Sequence, residues 1–125
     1  MATQSEIYVC EMCGNIVEVL DGGDGELVCC GQPMTLKKEN TVDASKEKHI
    51  PAISIKENQV SIQVGSTLHP AEPNHFIMWI EIQEGDRLKR QYLKPGMEPK
   101  ATFCTNGGPI TVRAYCNIHG LWKAT

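Results

Sequence analysis

From Pro51 onward, apolar and polar residues alternate in short runs divided by turn-forming residues. VSIQV (60–64) places Val60, Ile62 and Val64 on one face and Ser61 and Gln63 on the other, the period of two expected of a half-buried strand. AISI (52–55) stands before it across a Glu57-Asn58-Gln59 turn. HFIMWIEIQ (75–83), RLKRQYL (87–93), KATFCT (100–105), ITVRAYC (110–116) and LWKAT (121–125) continue the series, parted by EGD, KPG, NGGP and the tight turn before Gly120. Seven strands and no helix-length period predict an all-β unit over 49–125, an immunoglobulin-like sandwich without its disulfide.

Residues 1–37 read differently. NIVEVL (15–20) alternates as a short strand, DGGDG (21–25) turns, and ELVCC (26–30) leads back. So small a segment buries little apolar area, and domains of this size usually need a metal or disulfides. Between the two units, residues 38–48 are polar and lack Gly and Pro, so they read as a connector with mostly solvated charges.

Composition narrows the classes. A net charge of −3 gives no footprint for nucleic acid or an anionic membrane surface. No apolar run approaches the ~20 residues that span a bilayer. The start, MATQSEIYVC, lacks a basic and apolar leader, so the expected setting is cytoplasmic. In that reducing compartment six cysteines point to metal ligation or redox work ahead of disulfides.

Four of the six lie in the first unit, as Cys10-x-x-Cys13 and the adjacent pair Cys29-Cys30. Gly14 permits a tight knuckle that aims backbone N–H groups at sulfur. Neighbouring α-carbons are about 3.8 Å apart, below the usual disulfide range, so Cys29 and Cys30 are poorly placed to bond each other. Four thiolates fit tetrahedral iron or zinc, and a structural zinc knuckle stays open on ligand type alone.

The four histidines, His49, His69, His75 and His119, all lie in the second unit, each at a strand end or in a loop, as does Cys116. Sandwich loops cluster at the two ends, so convergence of these five is geometrically easy. Any one of the histidines alone would more simply be a surface or core residue. Taken as a set, four imidazoles and one thiolate exceed what zinc usually takes and suit an octahedral ion with one open position, which points to iron. A thiolate opposite that position would push electron density toward a bound small anion. Cys104 belongs to neither set, and Trp79, Tyr115 and Trp122 read as core or site lining.

CEMCGN with LVCCGQPM resembles the desulforedoxin type of iron centre. Together with NTVDASKEKHIP, HP…NH and YCNIHGLWK, it makes nearly the whole chain similar to desulfoferrodoxin, the two-iron class of superoxide reductase. The resemblance implies two iron ions per chain. One is held by Cys10, Cys13, Cys29 and Cys30, and one by His49, His69, His75 and His119 with Cys116 axial. It implies one-electron reduction of superoxide to hydrogen peroxide without dioxygen release, a rubredoxin-like electron donor and a homodimer. By position, Glu47 would bind the oxidised iron and Lys48 would attract superoxide, although without the resemblance both read as solvated linker charges. The competing readings are a non-catalytic two-iron electron carrier, whose second site would be coordinatively full, and a zinc-stabilised binding module.

Overall fold

The computed structural model describes residues 2–41, 49–65 and 69–125. Backbone contacts divide the chain into two compact units, Met1–Lys38 and Glu39–Thr125.

In the first unit, β1 (Ile7–Val9) runs antiparallel between β2 (Ile16–Glu18) and β5 (Thr35–Lys37). A separate ribbon pairs β3 (Val28–Cys29) with β4 (Gln32–Pro33) around a Cys30–Gly31 turn, both residues having positive φ. The sequence predicts the β2 strand within NIVEVL and the β3 strand within ELVCC, and not β1, β4 or β5. Ile7, Val9, Cys10 and Val19 are buried, whereas Met12, Leu20, Val28 and Leu36 face solvent. Such a core is too small to order the unit by hydrophobic burial alone.

The second unit is a two-sheet sandwich. Its strands are β6 (Pro51–Lys56), β7 (Gln59–Val64), β8 (Ile77–Glu84), β9 (Arg87–Tyr92), β10 (Lys100–Cys104), β11 (Thr111–Cys116) and β12 (Gly120–Ala124). One sheet has the order β10-β7-β6 and the other β12-β11-β8-β9, all pairs antiparallel. Val60, Ile62 and Val64 meet Ile77, Ile80, Ile82, Val112 and Ala114 between the sheets, each aliphatic side chain contributing roughly 1.5–3 kcal/mol of burial. The all-β, seven-stranded expectation matches these strands, and none of the described residues is helical. No helix is therefore long and apolar enough to cross a membrane.

Two features depart from simple alternation. β8 is buried on both faces: its outward Glu81 is wholly inaccessible, bridged by Arg90 at 2.7 Å and by Arg113 at 2.7 Å. The connector expected to be mostly solvated holds an anchor at Glu39, which pairs with Arg113 at 3.2 Å and Lys123 at 3.3 Å. Asn40 then bridges Trp122 through bonds to the Leu121 and Lys123 backbone.

Candidate metal centres

In the first unit the donor sulfurs of Cys10, Cys13, Cys29 and Cys30 all lie within 4.8 Å of one another. The knuckle forms because Gly14, at φ +84°, returns its N–H to the Cys10 carbonyl at 2.9 Å. That turn aims the Cys13 N–H at Cys10 Sγ, 3.4 Å away. Asn15 Nδ2 approaches Cys29 Sγ at 3.7 Å. An ion ~2.3 Å from four tetrahedral sulfurs sets them ~3.8 Å apart; Cys13 and Cys29 are 3.6 Å apart, Cys29 and Cys30 3.9 Å. All six cysteines are free, so no disulfide competes. The Cys13 backbone N–H pulls the Cys10 thiol down to about 6. Hydrogen bonding with Cys13, Cys10 and Cys29 pushes Cys30 up to about 12. Cys10 thus takes the negative charge while Cys29 and Cys30 hold protons that a cation would displace.

In the second unit His49, His69, His75, Cys116 and His119 bring their donor atoms within 4.8 Å of one another. The four imidazoles stand near the corners of a square. Ring centroids are 4.8 Å apart for His49–His69, 4.6 Å for His69–His75, 5.0 Å for His75–His119 and 4.5 Å for His49–His119. The His49–His75 diagonal is longer, at 6.3 Å. Bonds of ~2.1 Å at right angles separate adjacent nitrogens by ~3 Å, and His49 Nε2 lies 2.9 Å from His119 Nδ1.

Each donor has a structural cause. His69 Nδ1–H donates to the Pro70 carbonyl at 2.7 Å, which leaves the Nε2 lone pair for the centre of the square. Burial pushes the His69 imidazole down to about 4, so it is neutral and ready to ligate near pH 7. His75 sits in a small turn closed by reciprocal backbone bonds with Glu72. Cys116 ends β11, where the pairing with β8 shifts register between Tyr115 and Cys116; a bulge there re-aims a side chain. Gly120, at φ +85°, closes the turn that returns His119 to within 3.7 Å of Cys116 Sγ. Burial raises the Cys116 thiol, a cost that direct metal coordination removes.

The donor chemistry fits a cation at both places. His69 Nε2 and His75 Nε2 are buried with no hydrogen-bond partner, an arrangement that is costly unless those lone pairs meet a positive ion. Glu47 and Lys48 lie outside the described residues. Cys104 belongs to neither set and lies exposed at the end of β10. Trp122 lines the square by stacking on His49 at 4.8 Å, whereas Trp79 and Tyr115 stack on each other at 4.7 Å.

The family model described as desulfoferrodoxin matches residues 41–125, and its N-terminal domain matches residues 2–36. The chain belongs to the desulfoferrodoxin family. A desulfoferrodoxin of Syntrophotalea carbinolica is 56% identical over 124 residues, covering 99% of this chain and 98% of its own. A superoxide reductase from Giardia intestinalis aligns with a TM-score of 0.56 and 35% identity over 63% of this chain and 96% of its own. That of Treponema pallidum reaches a TM-score of 0.81 over 99% of this chain and 100% of its own; at 23% identity it supports the fold alone. The family holds two iron centres, and both donor sets, four cysteines and four histidines with a cysteine, are present here.

Proposed function

We propose that this chain is a superoxide reductase that turns superoxide into hydrogen peroxide, with no release of dioxygen, as a defence against oxidative stress. The reading is carried by the square of four imidazoles with one buried thiol beside it. Cys116 approaches from the apolar core, while His75 and His119 reach toward solvent. A five-donor set arranged in this way leaves the solvent side for a small anion.

His49, His69, His75, His119 and Cys116 would hold an iron ion, which would supply one electron and a Lewis-acidic position. Superoxide takes up that electron and two protons to become hydrogen peroxide. The Cys116 thiolate lowers the local positive charge and pushes electron density toward the open side. Lys48, adjacent to His49, draws the anion inward and organises protons for the product. Glu47 offers its carboxylate to the oxidised site, lowering an excess of about two positive charges. Cys10, Cys13, Cys29 and Cys30 would hold the other iron, at the first centre, as a rubredoxin-like electron store. A rubredoxin-like donor, a homodimer and a cytoplasmic setting complete the proposal, the last supported by six free cysteines.

Rapid mixing of the reduced, iron-loaded protein with superoxide tests it. The expected result is oxidation of the second centre with one hydrogen peroxide formed per superoxide and no dioxygen. Azide separates this reading from a pure electron carrier. A catalytic site binds azide at the second iron, and a saturated one refuses it.

A further inference from the structure

The ligands of the second centre come from separate stretches of chain, and each must be held against the others. Cys116 is fixed by strand pairing on both sides, to Ile77 and to Gly120. His119 is fixed by the short turn between them. His69 is held by its backbone bond to Val64 and its ring bond to Pro70. His75 is different: its turn is closed on itself through Glu72, and the Ala71 carbonyl before it accepts the Gly96 N–H at 2.7 Å.

Asn117 ties that turn to the end of β11 through both its side chain and its backbone. Asn117 Oδ1 accepts the Phe76 N–H at 3.0 Å, and Asn117 Nδ2 donates to the Asn74 carbonyl at 3.1 Å. Its backbone N–H also reaches the Phe76 carbonyl at 3.2 Å. A single amide therefore grips the residue before His75 and the residue after it. Asn117 directly follows Cys116 and stands two places before His119, so the grip spans the widest edge of the square, His75 to His119 at 5.0 Å.

We infer that Asn117 is a positioning residue for the second centre, setting His75 against the Cys116–His119 turn through the Phe76 N–H and the Asn74 carbonyl. The inference rests on the reading that these side chains hold iron. Asn117 touches no donor atom; it acts through the backbone on either side of one. Asn presents an acceptor and a donor on separate atoms of one amide, whereas ionised Asp lacks the donor, Ala lacks both, and Ser carries both on a single shorter oxygen.

The test uses the full chain loaded with iron at both centres, with the four-cysteine centre as internal reference. Asn117→Ala should weaken second-site iron in competition with a chelator by roughly 10-fold or more, the size expected for a partner behind a ligand. It should shift the absorption of the oxidised second centre, speed amide exchange at Phe76 and leave the four-cysteine absorption in place. Asn117→Asp keeps the acceptor for Phe76 and loses the donor to Asn74, so it should fall between wild type and Ala. Wild-type affinity and spectrum in Asn117→Ala overturn the inference, and the same result in Asn117→Asp overturns it should Ala not fold. If the unaltered chain binds one iron instead of two, the reading of the second site itself fails.

Discussion

If Lys48 serves the second centre as proposed, it acts mainly on an incoming anion, because four neutral imidazoles and one metal-bound thiolate leave it no unpaired negative charge to neutralise. Two unit charges 4 Å apart interact by ~4 kcal/mol at an effective dielectric of 20, enough to raise the local concentration of superoxide well above bulk. Lys48→Ala should therefore slow the bimolecular reaction by roughly 10-fold at low salt and flatten its dependence on ionic strength, with the iron spectra unchanged. Stopped-flow rates across a salt series decide it; an unaltered rate at low salt removes Lys48 from the mechanism. At this scale the sequence is informative about residue types. Four histidines at strand ends with one cysteine announce a donor set before any fold is known. It says nothing about Asn117, since an amide in a turn is ordinary wherever it occurs, and it reads Trp122 only as core or site lining; the third dimension puts them against His75 and His49.

Strands carry their own signal when one face is wet. β7 alternates because Ser61 is exposed and Gln63 only half-buried, while Val60, Ile62 and Val64 are buried, so its place in the sandwich is legible. β8 defeats the same logic. Its polar Glu81 reads as solvent-facing, yet Arg90 and Arg113 bind both carboxylate oxygens and the residue is fully enclosed. Removing Glu81 leaves the Arg90 and Arg113 charges enclosed with less compensation, Glu39 remaining beside Arg113, so Glu81→Ala should destabilise the sandwich by about 3 kcal/mol in urea unfolding followed by tryptophan fluorescence. A loss below about 1 kcal/mol, the value of an exposed pair, would mean the cluster is solvated in practice. The far end of β8 carries a pH-dependent contact. Glu84 accepts hydrogen bonds from the Thr105 hydroxyl and from the Asn106 N–H at 3.1 Å, fixing the loop after β10. The Thr105 bond holds the Glu84 carboxyl below its ordinary value of 4.5. A depressed carboxyl stabilises the fold above its unfolded pKa and loses that contribution as pH falls through its folded one. Glu84→Gln should thus lower the melting temperature at neutral pH, with the gap to wild type closing as pH drops below 4.5. A gap that stays constant through that range would assign the effect to packing.

At the scale of the molecule the two units differ in what holds them together. The second has a continuous apolar core drawn from both sheets, whereas the first has a handful of buried side chains and several exposed ones around four cysteines. Folding of the first unit is therefore coupled to its metal, because ligand-bound sulfurs replace the missing hydrophobic closure. Cys13→Ser removes one of four thiolates and should release iron from that centre, with amide protection lost along β1, β2 and β5. The sandwich should keep its protection and its own iron, since every donor of the second centre comes from the second unit. If superoxide reacts at that second centre, the variant reduced beforehand should still be oxidised by superoxide at a rate close to wild type in a single turnover. Repeated turnover through an electron donor is the step that would slow if the four-cysteine centre feeds the other. Abolition of the single-turnover reaction, with the second iron still bound, would place an essential part of the chemistry in the first unit and reverse this division of labour.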